Sequence, residues 1–297
     1  NYNRILLSPV LAGEQTVEQI ILNSWEWYTE NHITLHAGKT VTEVDRVKRI
    51  VRAVAADGSV IDAPYDRLLL CTGSNPFILP VPGKDLKGVI AYRDIADTNT
   101  MIETAKTHKH AVVIGGGLLG LEAANGLMLR GMSVTVVHVN AWLMERQLDD
   151  VAGGLLRKSL EARGLHFRLN AQTQELVDDG AGRVKAVRFK DGTEVPADLV
   201  VMAVGIRPNT ALAESMRLHC NRGIVVNDTM QTVTDARIYS VGECAAHRGI
   251  AYGLVAPLFE QAKVAANHLA QFGIGRYLGS LTSTKLKVTG IDLFSAG

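Results

Sequence analysis

The sequence predicts a doubly wound α/β protein built from two related halves, and three observations predict it. Strand and helix signals alternate along the whole chain. Between one strand and the helix that follows stands Gly115-Gly116-Gly117-Leu118-Leu119-Gly120, a G-x-G-x-x-G turn. An Asp-Gly turn followed by a buried strand that delivers a glycine occurs twice.

The elements follow in order. Val17, Ile20, Ile21, Trp25 and Tyr28 recur at helical spacing, with Thr16 and Gln19 as a capping box at the start. Ile33 to Leu35 opens a β region, with a turn at Asp57-Gly58 and a buried strand from Leu68 to Cys71. Pro76, Pro80, Pro82 and Gly83 read as a connecting loop. The strand Ala111 to Ile114 runs into the glycine loop and an Ala/Leu-rich helix, Leu118 to Leu129. Gly131 stops that helix before the strand Ser133 to Val139, which makes a right-handed crossover of a parallel sheet. Asp191-Gly192 and Ala197 to Gly205 then repeat Asp57-Gly58 and Tyr65 to Gly73, with Pro208 answering Pro76. Two related nucleotide-binding halves follow from this repeat. The first half's own glycine loop would lie before Asn1, so the chain is expected to be N-terminally truncated. Asp235 to Val241 is a short strand delivering Gly242-Glu243 ahead of a long helix, Ala256 to Gln271.

Composition narrows the function. The 297 residues carry 31 Lys+Arg against 30 Asp+Glu, a formal charge of +1, with 47% hydrophobic residues. At roughly 100–200 residues per domain this is about two domains with ample core. So small a charge provides no field to hold a phosphate backbone or an anionic lipid surface, which argues against nucleic acid as a partner. No apolar run approaches the ~18 residues of a membrane span. Cys71, Cys220 and Cys244 stand far apart, which fits a reducing cytoplasm and excludes a Cys-x-x-Cys redox pair within the chain. Asn1 to Gly13 shows no signal-peptide pattern, and there is no initiator Met.

Each candidate residue has a chemical reason. Gly115 allows the tight turn, Gly117 the close approach of a pyrophosphate, and Gly120 the packing of helix on strand. The amides and dipole at the helix start favour phosphate. A glycine-rich turn without a ligand is the alternative. The end of the next strand, where an Asp or Glu would meet the adenosine ribose of NAD, holds His138. Its ring reads as a partner for ribose hydroxyls when neutral, as tolerant of a 2′-phosphate when charged, or as a strand-end histidine with no ligand. The choice between NADH and NADPH stays open. Glu122, in the first turn after the third glycine, is either a favourable charge at a helix start or a carboxylate beside a nicotinamide ring. Glu243 is either an acid capping nearby amides or an acceptor for a polyol. The histidines show no metal-type spacing, and no nucleophile elbow, Walker loop or Ser/His/Asp order occurs.

With these motifs in place, the whole chain resembles the flavoprotein reductases of the pyridine nucleotide-disulfide oxidoreductase-like group, in which an NAD(P)-binding Rossmann-like domain is inserted in an FAD-binding one. Cys71-Thr72-Gly73 resembles the group's Ala-Thr-Gly loop, and Arg207-Pro208-Asn209, after Gly205, resembles the turn that follows the second copy. Thr234 to Glu243 is similar to the flavin-side Gly-Asp motif, with Glu243 for Asp. Tyr2-Asn3-Arg4 through Leu7-Ser8 resembles the segment passing along FAD. Related ferredoxin reductases carry a Lys after that Ser, where Pro9 stands here. The resemblance implies Gly115, Gly117, Gly120, Glu122, His138 and Gly205 for NAD(P), and Arg4, Thr72, Gly73, Gly242 and Glu243 for FAD, with no metal.

Asn1 to Glu14 and Thr282 to Gly297 resemble the NAD(P)H-dependent nitrite reductase large subunits, whose iron–sulfur and sirohaem domains fall outside this chain. This implies electron flow from NAD(P)H through FAD towards those centres, where nitrite is reduced to ammonia. The implied partners are the nicotinamide nucleotide, the downstream domains, a small subunit and a second copy of the chain. The implied domains are 1–107 with 229–281 for FAD, 108–228 for NAD(P), and 282–297 as the start of an interface domain. Two other readings stand beside this one. The first is a self-contained rubredoxin- or ferredoxin-type reductase or NADH oxidase, and the second is a truncated, non-catalytic nucleotide-binding module.

Overall fold

Apolar runs of four or five residues, flanked by polar turns, assemble the central sheet. Its strands are β1 (Val89–Ala91), β2 (His110–Ile114), β3 (Ser133–Val137), β4 (His166–Arg168) and β5 (Leu199–Met202). All pair in parallel, in the order β1-β5-β2-β3-β4. Ala111, Val112, Val113, Val134, Val136, Val200 and Val201 are removed from solvent. Both faces of the sheet are covered, so these strands read as continuous rather than alternating apolar runs.

Three helices serve this sheet: α1 (Ile95–Thr107), α2 (Leu118–Leu129) and α3 (Asp150–Glu161). The first starts on a reciprocal capping box between Asp94 and Asp97. The third starts on Asp149, whose carboxylate accepts the Ala152 N–H at 2.8 Å. Most of α2 is buried, because its outer face meets a further short helix, Leu7–Ala12. Gly126 makes room for that contact, since a Cβ there would stand 2.6 Å from Leu11 Cγ. Beyond the end of α2, the Arg130 guanidinium donates to the carbonyls of Leu11 at 2.8 Å and Val10 at 3.1 Å. The bond to Leu11 O serves a carbonyl near the end of the short helix, whereas Val10 O also accepts the Gly13 N–H at 3.1 Å.

The computed structural model describes residues 1–288 and 290–296. Thr289 and Gly297, both in the terminal stretch that carries the family resemblance, lie outside the described residues. The chain forms two units. Unit 1 comprises Asn1–Asn23, Pro76–Gly205 and the segment from Ser283; unit 2 comprises Ser24–Asn75 and Ile206–Thr282. Both units are discontinuous: the central segment of unit 1, which carries the glycine loop, lies in the chain between the two segments of unit 2, and these lie between the outer segments of unit 1. The boundaries differ from those expected. Segments 1–23 and 76–107 fall with the glycine loop because Leu7, Leu11 and Met101 share a core with Leu121 and Leu127. Segment 206–228 falls in unit 2, where Ala213, Met216, Leu218 and Ile224 pack with Val44, Leu70 and Ile238. The terminal segment clusters with unit 1, where Leu286 and Val288 join its core.

The repeat is structural. In unit 2, Lys39–Asp45, Ile50–Ala55 and Val60–Pro64 form a three-stranded antiparallel meander, and the strand Leu68–Leu70 follows. In unit 1, Thr173–Asp178, Val184–Phe189 and Glu194–Pro196 form the same meander, and β5 follows. The two Asp-Gly turns have nearly the same left-handed glycine, Gly58 at φ 81° and Gly192 at φ 82°. That conformation is open to glycine and costly for other residues.

Two elements depart from expectation. Val17 to Tyr28 is not one helix: a 3-10 turn (Glu18–Ile20) ends where Ile21 bridges Tyr2, and Ser24 caps a new helix, Trp25–Glu30. Ile33 to Leu35 lies outside any strand, and the meander starts at Lys39. Among the described residues, no helix is long and apolar enough to cross a membrane, and no cluster of His, Cys, Asp and Glu could hold a metal ion.

Candidate functional site

The glycine loop is built by packing at two positions and left open at one. Gly115 has φ +125°, and a Cβ there would lie 2.2 Å from Ala203 O at the end of β5. Its N–H donates to Val137 O at 2.8 Å, tying the loop to β3. Gly120 lies over Gly115, where a Cβ would come within 1.9 Å of the Gly115 carbonyl. These two glycines bring the strand end and helix start together. At Gly117, the residue capping α2, a Cβ would meet nothing within 4 Å. No side chain caps the helix there. The leading amides of α2 have no intrahelical acceptor, and the space beside Gly117 is open.

Gly116 is occupied by the protein itself. Its N–H donates to His138 Nδ1 at 3.1 Å, and its carbonyl accepts the Met144 N–H at 3.0 Å. A Cβ on Gly116 would lie 2.8 Å from both His138 Cγ and Leu143 Cδ2. His138 is therefore a buried brace of the loop, and its Nε2 lies 3.0 Å from Glu145 Oε2.

Glu122 lies one turn into α2, deeper than the sequence reading put it, and is only 7% exposed. Ser8 Oγ donates to its Oε2 at 2.5 Å and the Lys287 N–H donates to its Oε1 at 3.0 Å. Tyr92 Oη donates to Ser8 Oγ at 3.5 Å. Burial pushes the Glu122 carboxyl above the ordinary carboxylate range, against the opposing pull of the Ser8 and Lys287 hydrogen bonds. The same surroundings lower the Lys287 ammonium, which Glu122 partly offsets; its Nζ donates to Ile5 O at 2.9 Å. Ser8, which takes part in the expected flavin-side segment, thus meets Glu122 through the docking of its helix on Gly126. Gly205 ends the central segment of unit 1 at φ +111°, and its carbonyl accepts the Phe77 N–H at 2.9 Å. Arg4 is half-buried in the 3-10 turn Arg4–Leu6, also in unit 1.

Unit 2 holds the remaining candidates at the carboxyl ends of two parallel strands, Leu68–Leu70 and Ile238–Ser240. Thr72 Oγ1 donates to Asn209 O at 2.6 Å, and the Asn209 N–H donates to Gly73 O at 2.9 Å. Gly73 and Gly242 take left-handed φ values of 66° and 89°. The Gly242 N–H donates to Oε1 of the fully buried Gln261 at 3.0 Å. Glu243 is 7% exposed and accepts the Ser74 hydroxyl on Oε2 at 2.8 Å. The two acidic candidates are thus both buried carboxylates held by a serine.

Tyr92, Lys287, Glu145, Ser74 and Gln261 were not expected from the sequence as site members, and Ser8 was expected only on the flavin-side segment and not beside Glu122. No spacing rule links them to their partners, which come from other elements. Glu145 alone had a usable signal, as an acid shortly after the strand end.

The model of the pyridine nucleotide-disulphide oxidoreductase family matches residues 1–268. A nitrite reductase [NAD(P)H] from Bacillus subtilis (strain 168) is 57% identical over 297 residues, covering 100% of this chain and 36% of that protein. An assimilatory nitrate reductase electron transfer subunit from the same organism is 48% identical over 297 residues, covering 100% of this chain and 38% of that protein. The chain therefore spans about a third of the length of these curated relatives. Among solved structures, a NAD-dependent persulfide reductase from A. fulgidus superposes with a TM-score of 0.93 at 26% identity, covering 100% of this chain and 57% of the other.

Proposed function

The chain belongs to the pyridine nucleotide-disulphide oxidoreductase family, and from that premise we propose that it is the electron-input part of an NAD(P)H-dependent nitrite reductase. The observation that carries the reading is the open cradle at Gly117, framed by two glycines that packing requires. The identity with a nitrite reductase over the whole chain supports the parent activity.

The residues present fit a dinucleotide. The first amides of α2 would receive the pyrophosphate, with the helix dipole favouring its charge. A side chain at position 117 would fill the space through which it approaches. In unit 2 the donor set fits the polyol and phosphate chain of FAD: the Ser74 hydroxyl, the Glu243 carboxylate and the left-handed glycines Gly73 and Gly242 stand where parallel strands end. A nicotinamide nucleotide held by the glycine loop and FAD held by the unit 2 residues would supply two-electron hydride chemistry, and the electrons would pass to iron–sulfur and sirohaem centres in other parts of the parent protein.

This chain's own residues bind and orient. The Gly116 N–H and carbonyl are taken up by His138 and Met144, which ties the loop to the protein at this position. The reading assigns Glu122 to the nicotinamide end of the site, where Ser8 and the Lys287 N–H fix both carboxyl oxygens. Burial favours the protonated form, so a proton is held on Glu122 to higher pH than on a solvent-exposed glutamate.

The test is to purify the 297-residue chain, reconstitute it with FAD, and follow NADH-dependent reduction of ferricyanide. A flavin spectrum that bleaches under NADH is the expected result. A chain that binds NADH but retains no flavin would favour the nucleotide-binding module instead. The nitrite step is tested on the full-length parent, where nitrite-dependent NADH oxidation and ammonia formation are expected.

A further inference from the structure

The loop after β3 presents a carboxylate for which neither the fingerprint nor the family match has a use. Glu145 Oε2 lies 3.0 Å from His138 Nε2, and His138 directly follows β3. His138 Nδ1 accepts the Gly116 N–H, so the ring proton sits on Nε2 and is donated to Glu145. That chain of bonds runs from the phosphate loop through a buried imidazole to a carboxylate whose side chain remains 28% exposed. The segment is anchored on the preceding side as well. Leu143 and Met144 are fully buried, and Met144 holds a left-handed φ of 53° while its N–H bonds Gly116 O. A non-glycine residue in that conformation is uncommon and persists where surrounding contacts over-determine it.

We propose that Glu145, positioned by His138, reads the adenosine ribose: it accepts the 2′- and 3′-hydroxyls and repels a 2′-phosphate, so that this chain selects NADH over NADPH. The inference rests on the dinucleotide reading given above and deepens it. In this class of fold the adenosine ribose lies at the carboxyl end of the second strand of the crossover, and an acid there accepts its hydroxyls. Here that place is held by an imidazole already bonded on both nitrogens, with a pinned and partly exposed carboxylate next to it. Two cations stand nearby. Arg168, at the end of the neighbouring β4, donates to Asp191 at 2.7 Å. Arg146 is exposed on the position after Glu145.

Calorimetric titration of the 297-residue chain with ADP-ribose and with 2′-phospho-ADP-ribose tests this without any flavin. Wild type is expected to favour ADP-ribose by at least about tenfold, the scale of one charge-assisted hydrogen bond. Glu145→Gln, an isosteric change at a partly exposed side chain, is expected to bring that ratio towards one with its melting temperature unchanged. His138→Asn, which keeps an acceptor for Gly116 but cannot reach Glu145, is expected to lower the ratio in the same direction. Equal binding of both ligands by wild type, or an unchanged ratio in Glu145→Gln, would overturn the proposal. A preference for the phosphorylated ligand that disappears in Arg146→Ala would overturn it in favour of NADPH. If neither ligand binds, the dinucleotide reading itself fails, and the proposal with it.

Discussion

Two alanine substitutions in one loop separate folding from binding. In Gly120→Ala the new methyl would stand 1.9 Å from the Gly115 carbonyl. An ordinary contact to carbon is about 3.5 Å, so the end of β2 and the start of α2 would have to part by more than about 1 Å. The obstacle is backbone and has no rotamer to escape into, which puts the cost at the upper end of overpacking, about 3 kcal/mol. Alanine's better helix propensity returns about 1 kcal/mol, leaving a net loss of about 2 kcal/mol. For a unit of this size that is a fall in melting temperature of about 4–8 °C. Gly117→Ala is the opposite case. Its backbone is extended, at φ −85° and ψ −177°, and its methyl would meet nothing within 4 Å. Stability should stay within about 0.5 kcal/mol of wild type. The methyl occupies the approach to the leading amides of α2, so NADH affinity should fall by at least about tenfold, or 1.4 kcal/mol. Thermal melting followed by circular dichroism and calorimetric titration with NADH read the two effects separately. Wild-type NADH affinity in Gly117→Ala would refute the assignment of the pyrophosphate to this loop. An unchanged melting temperature in Gly120→Ala would refute the packing role of the third glycine.

Three further outcomes follow from the buried groups. Burial raises the Glu122 carboxyl, so its stabilising effect is complete below the ordinary carboxylate range and is lost as pH rises through the raised folded value. Glu122→Gln keeps an acceptor for the Lys287 N–H and a donor for Ser8 Oγ but cannot ionise. Its unfolding free energy in urea should therefore gain on wild type as pH rises above the ordinary carboxylate range of about 4, and a pH-independent gap would contradict the buried, raised carboxyl. Gly126→Ala should cost about 1–3 kcal/mol and Leu11→Ala about 2–5 kcal/mol, because Leu11 fills the space above Gly126. The double variant should cost at least about 1 kcal/mol less than their sum, and strict additivity in urea unfolding would deny the contact. Ser74→Ala removes a hydroxyl donor from the buried Glu243 carboxylate and should cost about 1–3 kcal/mol, with weaker retention of FAD through gel filtration. Unchanged stability and flavin content would count against a site at these strand ends.

What could be read in the sequence had local causes. The crossover was legible because turn, close approach and helix packing each demand a glycine at a fixed place, and the same demand at Gly58 and Gly192 made the repeat visible. A discontinuous arrangement was legible, but not which unit holds segments 1–23, 76–107 and 206–228, because their placement depends on packing between residues far apart in the chain. The helix Leu7–Ala12 is held by Gly126 and Arg130, far along the sequence, and nothing in its own pattern names them. The environment of Glu122 was hidden for the same reason, since Ser8 and Lys287 come from opposite ends of the chain. His138 shows the limit most clearly. A fingerprint that asks for an acid at the end of β3 finds a histidine and leaves the nucleotide undecided. The structure places a carboxylate beside that histidine: the His138 ring is bonded to the phosphate loop through Nδ1 and lies 3.0 Å from Glu145 through Nε2. Under the proposal above, a residue-type rule fails at this position because the acid comes from seven residues further on, across a loop anchored by the buried side chains of Leu143 and Met144.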